Sequence, residues 1–195
     1  MSDQRKNVVS FCVWEKNEEM EQGAIENAKT LAKTFPGWHG YFYMYKDVDE
    51  SVSNAISEQE NCSVFLVSDD VTLNGVFWRY IPLSDVDTVS SVISRDPKAR
   101  ICDNDYKMVS EWIHSPYQFH LIKNESEKEE PIIYPYHWGV KLHGPINTVW
   151  LYHYLTKEDL FKSMEDYHHD IMLFSFYQGF HFLFANHILP TKKDQ

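Results

Sequence analysis

The first 115 residues alternate between short apolar runs and a segment of helical periodicity, and this order constrains the fold most strongly. Runs rich in Val, Phe, Tyr and Trp predict strands at 7–14, 38–45, 63–68 and 88–94. We expect the first and third of these strands to be buried on both faces. Residues 18–34 carry small or apolar side chains at a helical period, and Pro36-Gly37 ends that helix. Strand–helix–strand order predicts an α/β fold whose sheet is mostly parallel and flanked by helices.

The rest of the chain continues the pattern. We predict short helices at 52–57 and 77–83, strands at 119–123 and 138–143, and a helix from Asp103-Asn104, as its N-cap, to 114. Thr156 and Asp159 have the spacing of a capping box for a helix over 156–167, and the aromatic run 171–189 predicts a buried helix. No linker or repeat interrupts the chain, so residues 1–190 form one predicted domain, with 191–195 as a flexible tail.

Composition narrows the classes of partner. A formal net charge of −11 argues against a nucleic-acid surface, although a small phosphate ligand needs only a few local cations. Three dispersed cysteines favour reduced, mostly buried thiols in a cytoplasmic protein. The polar start at 1–7 predicts no signal peptide, and polar residues within 171–189 argue against a membrane span.

The most informative segment ends the strand 88–94, where Asp96 stands among Arg95, Lys98 and Arg100. In an open α/β sheet, ligands bind just outside the carboxyl ends of the strands, so this is the predicted site. The alternative is structural, because an Asp before Pro97 commonly begins a turn.

Three Asp-x-Asp triplets, at 47–49, 85–87 and 103–105, suggest a divalent-cation site, but their positions favour structural roles. The first lies in a surface connection, the second precedes its strand, and the third begins a helix, where acids meet the helix dipole favourably. The histidine pairs lack the spacing of a zinc motif, which leaves only a zinc site assembled across elements. His143, at a predicted strand end, is the histidine best placed to approach a metal or phosphate.

Separate blocks of this sequence resemble a family of small GT-A-fold glycosyltransferases of bacteria and large DNA viruses, of the type found in chlorella viruses. The resemblance covers about 170 residues in the family's order. The blocks are Ser10–Cys12, Glu21–Ala28, Phe35–Trp38, Phe77–Tyr80 with Pro82–Asp85, Arg95–Arg100, Trp138–Lys141, and Asp170 near an aromatic run.

That family's strand-end motif usually reads Arg-Asp-x-Asp-Ser-Arg, and its two acids hold Mn²⁺ or Mg²⁺ against the diphosphate of a sugar nucleotide. This chain keeps Arg95, Asp96 and Arg100 but has Lys98 at the second-acid position, which makes a degenerate Asp-x-Asp motif. Three outcomes follow. Asp96 holds the metal with water, phosphate and another side chain, or Lys98 and the arginines replace the metal, or the activity has been lost.

The resemblance also implies roles for other residues. Arg79 joins the donor-binding cations, and Phe11, Val13 and Trp14 lie where such folds seat the nucleobase, unless they are core residues. Trp138 and Gly139 would line the acceptor or sugar pocket. Asp170 matches the family's late acid and is the predicted catalytic base, the alternative being a solvated surface carboxylate.

The resemblance therefore predicts a glycosyltransferase that transfers a sugar from a nucleotide-diphosphate sugar, with a UDP-sugar expected, to a glycan acceptor. It would act in the cytoplasm, which is the host's if the protein is viral. One alternative is a non-catalytic nucleotide-sugar-binding protein, favoured by Lys98. Another is a metal-dependent hydrolase or nucleotidyltransferase on a similar sheet, for which the sequence has no separate motif.

Overall fold

A mixed seven-stranded sheet organises the described part of the chain, which in this computed structural model comprises residues 5–68, 75–124, 137–156 and 179–189. The strands are β1 (Lys6–Val13), β2 (Trp38–Tyr45), β3 (Cys62–Val67), β4 (Val89–Ser94), β5 (Phe119–Asn124), β6 (Trp138–Lys141) and β7 (Phe184–Leu189). Their order is β3-β2-β1-β4-β6-β5-β7. Only β6 runs antiparallel to its neighbours, so the predicted mostly parallel α/β sheet is confirmed.

Helices cover both faces of this sheet. Helices α1 (Glu18–Thr34), α2 (Glu50–Ser57) and α3 (Asp103–Ile113) pack on one face, and α4 (Thr148–Leu155) packs on the other with a 3₁₀ helix, Gly75–Ser84. β1 is central and its side chains feed both cores: Phe11 joins the α1 face and Cys12 joins the 3₁₀ face. None of the helices in the described ranges is long and apolar enough to cross a membrane.

The sequence predicted the bounds of α1 and β2 to the residue, because their patterns are strong and their ends are marked. Asn17 caps α1 by accepting a hydrogen bond from the Met20 amide, and Gly37 follows the helix with a φ of +81°, the conformation that glycine tolerates.

Several predictions were wrong. β3 is an edge strand that exposes Leu66 and not a strand buried on both faces. A helix is predicted over 171–189, but Phe184–Leu189 forms strand β7, which pairs with β5. Residues 171–178 lie outside the described ranges. Cys102, and not Asp103-Asn104, is the N-cap position of α3.

The end of the chain also departs from prediction. Thr156 does not begin a helix here; it follows α4, and its hydroxyl donates back to the Tyr152 carbonyl. The remainder of the predicted helix 156–167 and the tail 191–195 lie outside the described residues.

Candidate functional site

The site lies where the sheet's order reverses. β2 pairs with one side of β1 and β4 with the other, and all three strands run parallel. Ser94, the last residue of β4, aligns with Ser10 of β1, so β1 extends three residues further to Val13. The carboxyl ends of these two strands form the topological switch point, where open α/β sheets bind their ligands.

Asp96 begins a tight turn at this point. Its backbone carbonyl accepts from the Ala99 amide at 3.1 Å, and its Oδ1 accepts from the Lys98 amide at 2.9 Å. Pro97 occupies the second position, as in a type I turn. The turn-initiating role of Asp96 is therefore confirmed. The same carboxylate also lies close enough to Arg79 and Cys12 to act on both electrostatically.

Arg79 is the buried basic side chain within electrostatic reach of Asp96. It is only 2% exposed, and its Nε donates to Cys12 Sγ at 3.1 Å and to the Val76 carbonyl at 3.0 Å. Its guanidinium lies 5.7 Å from the centre of the Trp14 ring. Nη1 is buried and has no hydrogen-bond partner among the described residues. A buried cation with unused donors is costly, which makes Arg79 a candidate to receive an anionic ligand.

The Cys12 side chain accepts the Arg79 hydrogen bond as a neutral thiol. Burial raises the pKa of Cys12, although the neighbouring Arg79 charge opposes that shift. No local pattern in the sequence indicates this pairing, because the two residues are 67 positions apart. The site therefore holds Arg79 without a thiolate to neutralise it.

The other predicted cations of the turn are directed to α1. Lys98 Nζ lies 3.7 Å from a Glu19 carboxylate oxygen, and Arg100 Nε donates to Glu26. All four side chains are partly exposed, so these pairs are individually weak. The structure nevertheless places both cations beside acids of α1 and not beside Asp96.

Arg95, predicted to bind the donor, is a structural residue in this fold. It is 4% exposed, and its Nε and Nη2 donate to the two carboxylate oxygens of Asp105 at 2.9 and 2.6 Å. Nη1 donates to the Ser94 carbonyl at 2.8 Å. The sequence does not reveal this partner, because the helix dipole already explains an acid in the first turn of a predicted helix. The ion pair joins the end of β4 to the first turn of α3.

The predicted nucleobase platform is reduced to Trp14. Phe11 and Val13 are fully buried, and the Phe11 ring stacks on Phe42 with 4.7 Å between centroids. Trp14 is half-buried beyond the end of β1. A Cβ at Gly75 would lie 2.0 Å from Trp14 Cβ, so only glycine lets the 3₁₀ helix begin against this side chain.

The predicted acceptor-pocket residues belong to the core. Trp138 is 3% exposed and packs against Tyr80 at 5.6 Å between ring centroids. A Cβ at Gly139 would lie 2.7 Å from Ile93 Cγ2 and 3.2 Å from Trp112, so this glycine serves close packing. Neither residue lines an open pocket at the switch point.

The structure does not bring His143, the predicted metal ligand, to the switch point. β6 runs antiparallel to β4, so the chain leaves β6 at the amino end of β4, and His143 contacts Arg5 there, just before β1. That edge is opposite to Asp96. The described residues contain no group of three or more His, Cys, Asp or Glu side chains able to hold a metal ion.

One acid of each triplet has a structural role, in agreement with the prediction. Asp49 caps α2 by accepting from the Ser51 amide at 2.9 Å, and Asp85 accepts from the Thr88 amide and hydroxyl ahead of β4. Asp105 holds Arg95. The predicted base Asp170 lies outside the described residues.

A small cavity of about 90 Å³ opens beside the turn, between the end of β4 and α3. Its lining includes Arg95, Asp96, Arg100, Cys102 and His137. Sites for drug-sized ligands usually measure about 300–1,000 Å³, so this cavity alone does not accommodate a sugar nucleotide.

No protein-family model and no curated protein matches the chain. Its fold resembles solved structures at low sequence identity. A 4-diphosphocytidyl-2C-methyl-D-erythritol synthase from Anaerococcus prevotii superposes with a TM-score of 0.59 at 11% identity, covering 96% of this chain and 89% of that one. Mouse xyloside xylosyltransferase 1 gives 0.58 at 12%, covering 97% and 85%. The glycosyltransferase GlyE of Streptococcus pneumoniae gives 0.58 at 12%, covering 94% and 45%.

These similarities establish the class of fold. The chain has the GT-A-like α/β fold that glycosyltransferases and nucleotidyltransferases share. Because the identities are 11–12%, the particular reaction has to be argued from the site.

Proposed function

We propose that this protein is a glycosyltransferase that transfers a sugar from a UDP-sugar to a glycan acceptor. The observation that carries the proposal is Arg79, a buried guanidinium that lies 5.7 Å from the centre of the Trp14 ring and has one nitrogen without a hydrogen-bond partner among the described residues. A donor diphosphate would satisfy that cation, and charge-assisted hydrogen bonds of this kind are strong. The glycosyltransferases of the same fold support the assignment.

Each side chain then has a chemical task. Arg79 would neutralise the negative charge that develops on the departing diphosphate. Trp14 would stack on the base, an interaction worth about 1–3 kcal/mol. Asp96, whose carboxylate is fixed by its turn, would supply a ligand to a divalent cation that accompanies the diphosphate.

A divalent cation fits this site only when it is bound together with the donor, whose phosphates would supply further ligands. Asp96 is one carboxylate, Lys98 takes the place of a second acid, and the described residues form no metal cage. Mg²⁺ is commonly held by one or two carboxylates plus substrate phosphates, so Asp96 would supply one ligand for Mn²⁺ or Mg²⁺. Such a cation would add positive charge against the diphosphate.

The transfer itself requires a base. The acceptor hydroxyl oxygen forms a bond to the anomeric carbon as the bond from that carbon to the diphosphate oxygen breaks. The nucleoside diphosphate leaves with the electron pair, and a carboxylate takes the hydroxyl proton. Asp170 remains the predicted base.

Two other functions have specific support. A non-catalytic nucleotide-sugar-binding protein is favoured by the Lys98–Glu19 pair, which stands where the family has a second acid. A nucleotidyltransferase is favoured by the similarity of fold to the diphosphocytidyl-methylerythritol synthase. The viral type and the cytoplasmic location remain predictions from the sequence.

One assay distinguishes the three functions. The protein is incubated with a panel of sugar nucleotides, and separately with nucleoside triphosphates and sugar phosphates, with and without Mn²⁺. Release of nucleoside diphosphate supports the glycosyltransferase, provided that Asp170→Asn abolishes release and retains binding. Release of pyrophosphate indicates a nucleotidyltransferase, and binding without either product indicates the binding protein. Failure to bind any nucleotide would refute the proposal.

A further inference from the structure

Helix α1 holds the Asp96 turn through a side chain that the catalytic scheme does not use. Asn27 lies in the middle of α1 and is 0% exposed. Its Nδ2 donates to the Pro97 carbonyl at 3.1 Å and to the Ala99 carbonyl at 2.8 Å. Its Oδ1 accepts from the Ile101 amide at 3.1 Å. One amide group therefore fastens three backbone groups of the segment that follows β4.

Gly23, one helical turn earlier on α1, gives the same segment room to approach. A Cβ at this position would lie 2.1 Å from the Pro97 carbonyl oxygen and 2.7 Å from Arg100 Nη1. Any larger residue would push the turn away from α1. Glu26 on the same helix binds Arg100, so the contact continues along this face of α1.

We infer that Asn27 and Gly23 are positioning residues that fix the place of the Asp96 carboxylate relative to Arg79; this role rests on the proposed function. Asp96 is connected to Pro97 directly and to Lys98 through its side chain, so a shift of the Pro97–Ala99 backbone moves the carboxylate with it. Arg79 is fixed independently of α1, by Cys12 of β1 and by the Val76 carbonyl of its own 3₁₀ helix. The Asp96–Arg79 separation therefore depends on where α1 holds the turn.

The test compares Asn27→Ala, Asn27→Asp and Gly23→Ala with the wild type. Asn27→Asp keeps the acceptor for the Ile101 amide but removes both donors. It also places a carboxylate oxygen next to the Pro97 and Ala99 carbonyl oxygens, which repel it. Binding of UDP with Mn²⁺ is titrated at a temperature where every variant is folded by circular dichroism. Thr34→Ala is the matched control, since Thr34 is a buried polar residue two turns further along α1 and away from the turn.

We expect both Asn27 variants to weaken UDP binding with Mn²⁺ by roughly tenfold or more, because residues that orient a ligand of a cation typically contribute about 10- to 100-fold. Faster hydrogen exchange at the Ile101 amide should accompany the loss. Thr34→Ala should lower the melting temperature and leave UDP affinity within about twofold. If the Asn27 variants do not fold, Gly23→Ala carries the test, with the same expected loss.

Three results would overturn the inference, and they are distinguishable. Variants that exchange faster at Ile101 yet bind UDP like the wild type would remove the positioning role and leave the proposed function intact. Equal losses in Thr34→Ala and the Asn27 variants would show a general effect of helix stability. A wild type that binds no UDP would refute the proposed function itself, and the positioning role with it.

Discussion

Arg79 and Arg95 are both buried arginines, but they differ in what neutralises them. Arg95 has two hydrogen bonds to a buried carboxylate, Asp105. Arg79 has a neutral thiol, a backbone carbonyl and an aromatic ring, with Asp96 as its nearby opposite charge. The sequence motif alone suggested similar tasks for the two. Their partners make Arg95 part of the scaffold and Arg79 part of the candidate site.

At the residue scale, substitution of Lys98 tests whether this lysine stands in place of a metal-binding acid. Lys98→Asp places a second carboxylate two residues after Asp96 and removes a repelling ammonium. We expect Mn²⁺ to increase the UDP affinity of this variant roughly tenfold more than that of the wild type. Lys98→Gln, measured by the same calorimetric titration, controls for loss of charge. An unchanged response to Mn²⁺ would count against the idea that Lys98 replaced a metal ligand.

The three thiols should differ in reactivity. Burial raises the pKa of Cys12, and it raises the pKa of Cys62 to about 12, so both remain protonated at pH 8. Cys102 is exposed at the start of α3, contrary to the expectation of mostly buried thiols. An Ellman titration of the native protein at pH 8 should show one fast thiol, lost in Cys102→Ser. Three equally fast thiols would contradict the burial of Cys12.

Among the elements, the junction of β4 with α3 depends on the Arg95–Asp105 pair. Removing one partner of a buried pair strands the other charge, so Asp105→Asn should lower the free energy of unfolding by about 3–5 kcal/mol. Urea denaturation measures this change. Glu26→Gln breaks the exposed pair with Arg100 and should change it by less than about 1 kcal/mol. Similar values for the two variants would show that the Asp105 pair is not buried in solution.

Elements differed in how well the sequence predicted them, for physical reasons. β1 and α1 were predictable because burial on both faces and helical periodicity leave local patterns. The helix predicted at β7 was wrong because the local pattern of a short, largely apolar run such as Phe184–Leu189 does not distinguish helix from strand. Its pairing with β5 makes it a strand. β3 has a similarly apolar sequence, yet its place at the sheet's edge depends on strand order, which no local pattern encodes.

The site shows the same division. Its location after β4 was predictable because strand ends are visible in the sequence. The directions of its side chains were not predictable. Three of the four predicted cations pair with acids other than Asp96: Arg95 with Asp105, Lys98 with Glu19 and Arg100 with Glu26.

For the whole molecule, His120 links stability to pH. It is fully buried, and burial, followed by the charge of Arg95, holds its pKa well below the usual value. Below about pH 6.5 the unfolded chain gains a proton that the folded protein does not. The free energy of unfolding should therefore fall as the pH falls, by up to about 1.4 kcal/mol per pH unit from this group.

His120→Phe should remove that part of the slope and keep a ring stacked on Trp112. Urea denaturation between pH 5 and 7 measures it, with the exposed His114→Gln as control. A slope in His120→Phe equal to that of the wild type would contradict the buried, neutral imidazole.

Also at this scale, a chain with a net charge of −11 binds an anionic donor only through local charge, and Arg79 is the proposed source of that charge. The most direct measurement is the affinity of the wild type, Arg79→Lys and Arg100→Lys for UDP at fixed ionic strength. Arg79→Lys should weaken binding by roughly tenfold or more, since an ammonium cannot reproduce the guanidinium geometry. Arg100→Lys should stay within about threefold, because Arg100 is bound to Glu26. Unchanged affinity in Arg79→Lys, or a larger loss in Arg100→Lys than in Arg79→Lys, would contradict the role of Arg79 in binding the diphosphate.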